Sequence, residues 1–582
     1  MSERTNWKTG ILIPIVTGLL FTCGTNAAST GRIPFEKIFF YLQAILFCVL
    51  FVVLFLIADH IMRADPLAGR HGIGSATWKC ARLFNLLKFN HEEHIRGIAA
   101  DAIRIFLCWL PYLILLFPGV LYWDTGDQLA QFFGLSAFGM EPGQIWDHHP
   151  WFSTFLYGAV VKVGHAVFGS YESGIFLNAI VQYIIVCLSL AWTLAILKKK
   201  NVPAKAVGML TAFVCIFPVT PILCVAMSKD VTHAIFFLLW LIMLVKLVES
   251  KLTLFTSVPF DLAFLVVTAF AAMSKKMGLY IVVVCLLLLL FGKFRLKFKA
   301  IAAAFAVTLF LAINIFMPKF LYPRLNIVPG GSQAAIVMPI QLLARTAHDH
   351  PGDITEYERD IVDNYLLFTW DQMGEQYNPY IADPATGYSL KKNRSTVDFF
   401  KVWASIGLRH PGSYIQGFFA LESGWITFIG VHSVEGTHES EGSTPILIEP
   451  VFNTAINADT FGKLMSATEM NSAQTIVKRL YTILASTPIV NALFYVAFWT
   501  AVMPMFCMYY AYRGKKQIAA WQLASLIPYL VSIASLFVYA VSLSAQRQDP
   551  TRYMFHAVLL VPLVIGSLLA RSDTPKGDEQ GA

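Results

Sequence analysis

Apolar runs of membrane-crossing length recur along the whole chain. A helix needs about 20 mostly apolar residues to cross the hydrocarbon of a bilayer, and lipid-exposed backbone outside such helices cannot satisfy its hydrogen bonds. About twelve segments meet or approach that length: 11–27, 37–58, 102–122, 174–196, 204–227, 231–248, 261–274, 278–292, 300–317, 484–511, 517–541 and 553–570. The seventh and eighth are short and separated only by Lys275 and Lys276, which predicts broken or irregular helices. In the first, Arg4 and Lys8 precede an apolar run interrupted by Pro14 and Gly18 and followed by Ala27 and Ala28, a pattern that also fits a secretory signal. The pattern predicts an all-α polytopic membrane protein of about 12 transmembrane helices.

The polar positions between these runs give an orientation. Arg63, Arg70, Lys79, Arg82, Lys88 and Arg96 fall between the second and third runs, and Lys198, Lys199 and Lys200 follow the fourth. Lys246 and Lys251 flank the end of the sixth; Lys293, Arg295, Lys297 and Lys299 follow the eighth; Arg513, Lys515 and Lys516 follow the tenth. All five connections lie on one side by parity, which predicts that side as cytoplasmic, with both termini there. Five parts follow: 1–122, N-terminal spans and a basic cytoplasmic loop; 123–173, a short external loop; 174–317, a transmembrane bundle; 318–482, a large external segment; and 483–582, the last spans and a cytoplasmic tail. In the large segment, Asp353 to Asp360 reads as a capped helix start, Asn378-Pro379 and Asp383-Pro384 as turns, and 411–431 as a helix on the membrane surface.

Composition removes most other classes. Of 582 residues 56% are hydrophobic and 14% charged, against about a quarter charged in soluble domains. A water-soluble globule of this make-up would expose large apolar patches. A secreted disulfide scaffold, a disordered chain, a nucleic-acid binder and an ordinary cytosolic enzyme are excluded. The 9 cysteines lie in or near apolar runs apart from Cys80 and read as packing residues. The inward basic loops account for the net charge of +8.

Candidate chemistry gathers on the external side. Asp124 and Asp127 follow the third run beside Trp123. A carboxylate at that interface is partly desolvated, which raises its pKa and suits a general base; two carboxylates can also hold a divalent cation, or simply cap a helix beginning at Gln128. Asp147, His148 and His149 stand between Trp146 and Trp151, where aromatic rings can stack on a sugar or form an interfacial belt. Lys229-Asp230 sits where the fifth and sixth runs meet, as a functional pair or as a local ion pair closing the turn. Arg547 and Arg552 precede the last run; a guanidinium there can clamp a phosphate or snorkel to the interface.

A run ending in Pro118-Gly119, then Trp123-Asp124, then His148-His149-Pro150 resembles the start of the C-type (GT-C) superfamily of polytopic membrane glycosyltransferases. The windows Ser332 to Arg345 and Tyr377 to Pro384 are more similar to an uncharacterised bacterial family of multi-spanning membrane proteins with that ancestry. The resemblance implies an inverting glycosyltransferase of the bacterial plasma membrane, moving a sugar from a polyprenyl-phosphate donor to a cell-envelope glycan, lipid or protein acceptor on the outer face. It makes Asp124 the catalytic acidic residue, as general base, with Asp127 second. His149-Pro150 matches the His-Pro common after that residue, and Lys229 and Arg552 match positions of cations near the lipid phosphate; with His148, Asp230 and Arg547 these are the candidate substrate-binding residues, the two histidines positioning substrate. Asp124 and Asp127 do not form the adjacent acidic pair or Asp-x-Asp of many members, which leaves a divalent cation open. A transporter or lipid flippase, and a glycan polymerase or ligase, stand as the rival expectations; a nucleic-acid partner is not expected.

Overall fold

The computed structural model describes residues 10–63, 89–387, 389–429, 461–464, 471–513, 518–538 and 551–570. The chain opens with a helical hairpin, α1 (Leu12–Thr30) and α2 (Ile38–Arg63), followed by α3 (Ile95–Leu115). Two helices fill the predicted short external loop: α4 (Trp123–Phe132) and α5 (Trp151–Phe168). Next come α6 (Tyr171–Lys199), α7 (Ala204–Ile216), α8 (Val219–Cys224), α9 (Lys229–Glu249), α10 (Val258–Met273), α11 (Lys276–Leu288) and α12 (Leu296–Leu311). The stretch predicted as the large external segment holds α13 (Val337–Asp349), α14 (Glu356–Tyr365), α15 (Trp370–Glu375), α16 (Asp383–Thr386), α17 (Thr396–Arg409), α18 (Pro411–Glu422) and α19 (Ser472–Ser486). The chain then continues through α20 (Met503–Arg513), α21 (Ala520–Val538), α22 (Thr551–Leu559) and α23 (Val561–Leu569).

Among the described residues, eight helices are by length and composition able to cross a membrane: α1, α2, α3, α6, α9, α12 with its continuation to Leu321, α21, and α22 with α23. Three shorter apolar helices, Ala204–Ile216, Val258–Met273 and Lys276–Phe291, accompany them. The protein is thus an all-α multi-pass membrane protein. The break at Lys275 falls where the sequence places it: α10 ends at Met273 and α11 starts at Lys276. Elsewhere the boundaries move. The run 204–227 is two helices and a strand, because Pro218 starts a new helix after Phe217 leaves helical geometry. The run 484–511 loses its first residues to α19, which stops before Pro488; Ile489 then takes a positive φ of 71° before the chain turns helical again.

Close helix approach is set by small residues. A Cβ on Gly174 of α6 would lie 2.4 Å from the Cα of Val161, and one on Gly164 of α5 would lie 2.2 Å from the Cα of Gly174. Helices in membranes pack closely through such positions. Ion pairs join basic segments predicted on the cytoplasmic side: Glu93 holds Lys199 at 2.9 Å and Lys246 at 2.6 Å, and Asp59 holds Arg63 at 2.6 Å and Arg513 at 3.0 Å.

The stretch 318–482 has its own core, in which Ile340, Leu343, Val362, Trp370, Phe399 and Ile406 are buried together. The predicted capped start at 353–360 is a capping box, with Thr355 and Glu358 exchanging bonds with each other's backbone. Helix α18 does not present one apolar face to a surface. Its C-terminal end, Ala420 to Glu422, is buried, and Ser423 to Thr427 continue into the interior.

Candidate functional site

Two very short parallel strand pairs assemble the site. Val120 and Leu121 pair with Ala226 and Met227 in parallel register. Each strand is followed by one residue outside the helix, Tyr122 or Ser228, and then by a helix start, so α4 and α9 begin side by side. Thr125 Oγ1 donates to Met227 O at 2.7 Å, and Gln182 Nε2 donates to Cys224 O and Ala226 O at 2.9 and 3.0 Å, fixing the junction. The second pair, Ile145–Asp147 with Ile327–Pro329, draws the start of the stretch 318–482 against the histidine loop. There a Cβ on Gly330 would lie 2.2 Å from Asp147 O, so only glycine permits this approach.

This register brings Asp124, in the first turn of α4, against Lys229, the first residue of α9. Lys229 Nζ donates to Asp124 Oδ2 at 2.8 Å and to His149 Nδ1 at 2.6 Å. A lysine ammonium can only donate, so His149 Nδ1 accepts and the ring proton resides on Nε2. That Nε2 is buried without a hydrogen-bond partner among the described residues. Arg552 Nη1 reaches the same carboxylate oxygen at 3.0 Å, with its guanidinium 4.9 Å from the Tyr122 ring and 4.7 Å from the Tyr553 ring. Asp124 therefore does not cap a helix starting at Gln128, since the helix already begins at Trp123.

Lys229 and Asp230 turn to separate partners, which corrects the local ion-pair reading. Asp230 Oδ1 lies 2.9 Å from Lys275 Nζ and its other oxygen 4.0 Å from Arg552 Nε, so Arg552 bridges the two carboxylates. Lys276 makes an ion pair with Asp147 at 3.4 Å and also donates to its backbone carbonyl. Tyr322 Oη donates to Asp147 Oδ2 at 2.9 Å, and Asp147 Oδ1 accepts from Trp151 N at 3.3 Å. Asp127 is buried one turn further along α4. His148 stacks on Trp146, with ring centroids 4.5 Å apart, and meets His149 edge-on at 4.7 Å. Phe138 lies 5.6 Å from Trp146 and 5.2 Å from His149, which closes an aromatic wall beside the charges. Trp151 instead belongs to a small core with Tyr322 and Ile327. Arg547 lies outside the described residues.

The electrostatics correct the expectation of a raised carboxyl pKa. Burial opposes ionisation of Asp124, but Arg552, Lys229 and His149 outweigh it and hold the carboxyl well below its usual range. Burial, with Lys229 and Lys276 nearby, pushes His148 down to about 4. Burial and Lys229 likewise keep His149 well below an ordinary imidazole, in agreement with its accepting Nδ1. Among the described residues, no group of three or more His, Cys, Asp or Glu side chains is arranged to hold a metal ion. Asp124 Oδ2 is already shared by two cations, so the residues present do not fit a divalent cation.

The sequence pattern pairs these windows only by depth. It marks Lys275 and Lys276 as the break between two short runs and gives no place to Tyr322, whose only signal is a tyrosine just after an apolar run. It also gives none to His233 and His556, buried in the opening turns of α9 and α22 with rings 6.2 Å apart.

The fold and site define a class: a multi-pass helical membrane protein with a buried charged centre built where helices begin. The model of a "Family of unknown function (DUF6020)" matches residues 138–580, more than half of the chain, and the chain belongs to that family. The matched stretch includes His148, His149, Lys229, Asp230, Arg547 and Arg552 and begins after Asp124. No curated protein and no solved structure matches the chain.

Proposed function

We propose that the protein is an inverting glycosyltransferase of the GT-C type, with about twelve spans, in the bacterial plasma membrane with both termini cytoplasmic. It moves a sugar from a polyprenyl-phosphate donor to a cell-envelope acceptor on the outer face. The observation that carries the reading is the meeting of Asp124 with Lys229, Arg552 and His149 where α4 and α9 begin, with Lys276 opening α11 nearby. Helix N-termini favour anions, and a leaving phosphate gains charge as its bond to the sugar breaks.

The chemistry follows from that arrangement. The acceptor hydroxyl passes its proton to Asp124 while its oxygen bonds to the anomeric carbon from the face opposite the phosphate. The bond from that carbon to the phosphate oxygen breaks, and its electron pair leaves with the phosphate, which Lys229 and Arg552 hold. Without donor, these cations sit on Asp124 and make it a poor base. A phosphate that draws them away restores its basicity, so proton removal is timed to donor binding. The buried Nε2–H of His149 is a donor for substrate, and the wall of Phe138, Trp146 and His148 supplies apolar surface for a sugar ring.

The buried ionisable groups Asp230, His233 and His556 lie in the first two turns of their helices, beside the charged centre rather than at mid-span. They therefore give no added weight to an ion-coupled transporter. The test is transfer from a panel of radiolabelled polyprenyl-phosphate sugars in membranes with wild type or Asp124→Asn. Labelled product with wild type alone supports the reading. Full activity of Asp124→Asn removes Asp124 as the base. No turnover with any donor by inserted protein, or flipping of labelled lipid without a glycosyl product, refutes the reaction class.

A further inference from the structure

Helix α19 has three distinct sides. Val477 and Tyr481 are buried against the protein body. Thr475, Lys478, Arg479 and Thr482 make a polar arc. Between them Ile476, Leu480, Ile483 and Leu484 form an apolar arc in which each residue is 41–63% exposed. At 3.6 residues per turn these four positions fall within one stripe along the helix. Ile489 and Val490 just beyond the helix are exposed as well, and the cap end of α19 is tied to Phe117, itself exposed just past the end of α3. Helix α3 is long and apolar enough to cross the membrane, so α19 is held at the end of a candidate span. An exposed apolar stripe on a folded protein marks a protein or membrane contact.

We infer that α19 lies in the bilayer interface on the side of the charged centre, with Ile476, Leu480, Ile483 and Leu484 among the lipid chains and Lys478 and Arg479 at the headgroups. The segment between 318 and 482 therefore returns to the membrane before its end, ahead of the span that the sequence begins at 484. The cap joins this helix to the site. Asn471 closes a capping box with Gln474, and both side-chain amides donate to Phe117 O, at 3.4 and 3.2 Å. The segment from Phe117 runs directly to Asp124, so lipid contact along α19 fixes the depth at which that segment emerges.

The test uses the wild-type chain in phosphatidylcholine vesicles that contain a lipid carrying a photoactivated carbene precursor near the glycerol end of its acyl chain. Labelled residues are mapped by mass spectrometry, and water-borne hydroxyl radicals are applied in parallel. An interfacial helix sits about 5–10 Å into the headgroup and acyl boundary. Carbene adducts on Ile476, Leu480, Ile483 and Leu484, with little radical oxidation of Leu480 and Ile483, are expected. Oxidation of Leu480 and Ile483 without carbene adducts overturns the inference in favour of an aqueous helix. Protection from both reagents, with a chain-to-chain crosslink at Leu480→Cys, overturns it in favour of a second copy of the chain.

Discussion

The contact between Asp124 and Lys229 allows a quantitative test of the charged centre. Lys229→Met removes one of two cations on Asp124 Oδ2, at 2.8 Å, and leaves Arg552 at 3.0 Å to balance the carboxylate. Asp124→Asn instead leaves Lys229 and Arg552 facing each other without their shared anion. Bare Coulomb attraction at 2.8 Å is about 6 kcal/mol at an effective dielectric of 20, an upper bound before desolvation. Breaking a buried pair from one side typically costs about 3–5 kcal/mol. Lys229→Met is expected near or below the bottom of that range, because Arg552 remains, and Asp124→Asn towards the top. In the double variant Arg552 still has Asp230 at 4.0 Å, so the loss should fall short of the summed singles by about 2 kcal/mol or more. Equilibrium unfolding of the four proteins in mild detergent measures this coupling. Additivity to within about 0.5 kcal/mol would show that the two side chains do not share a buried ion pair.

Other outcomes follow from the same geometry. His148 is held near 4 when folded and near 6.5 when unfolded, so its stabilising contribution is complete above pH 6.5 and is lost as pH falls towards 4, by at most about 3 kcal/mol. Asp124 has a depressed folded carboxyl and adds a further loss below about pH 4. Unfolding at pH 7 and pH 4.5 should therefore show an acid-sensitive wild type and a flatter His148→Gln profile; equal slopes would contradict the assignment. Asp147→Asn weakens the hold of Tyr322 and Lys276 on the histidine loop, and a displaced His149 should lower turnover about tenfold to a hundredfold with the protein still inserted. Unchanged turnover would leave Asp147 a purely local cap. Gly174→Leu forces side-chain atoms onto the backbone of α5, and thermal unfolding should move down by an amount matching at least about 1–3 kcal/mol; an unshifted transition would mean the two helices do not pack as described.

Much of this is legible in the sequence alone, because long apolar runs and acidic, histidine-bearing or basic turns need only local pattern. Asp124, His149, Lys229 and Arg552 all stand out there as candidates, and the fold places all four in direct contact. What the pattern does not carry is which turn meets which. That depends on parallel strands of two and three residues, too short to leave a period, and on a glycine at 330 that matters only once Asp147 is beside it. Helix α5 escapes the pattern because Ser153, Thr154, Tyr157, Lys162 and His165 dilute its apolar run, so it reads as loop. The pKa of Asp124 is misjudged in direction from sequence because desolvation is a local inference, whereas Arg552 arrives from a distant part of the chain.

That distance has a consequence for how the protein is made. Asp124 belongs to a segment synthesised early, and its second cation, Arg552, belongs to the last described pair of helices. At roughly 5–20 residues per second, tens of seconds separate the emergence of the two. During that interval the carboxylate must remain in water or lean on Lys229 alone. The charged centre thus closes only when the helix carrying Arg552 docks, and a nascent chain that stalls before that step presents an unfinished, water-seeking core to the machinery that inspects new membrane proteins.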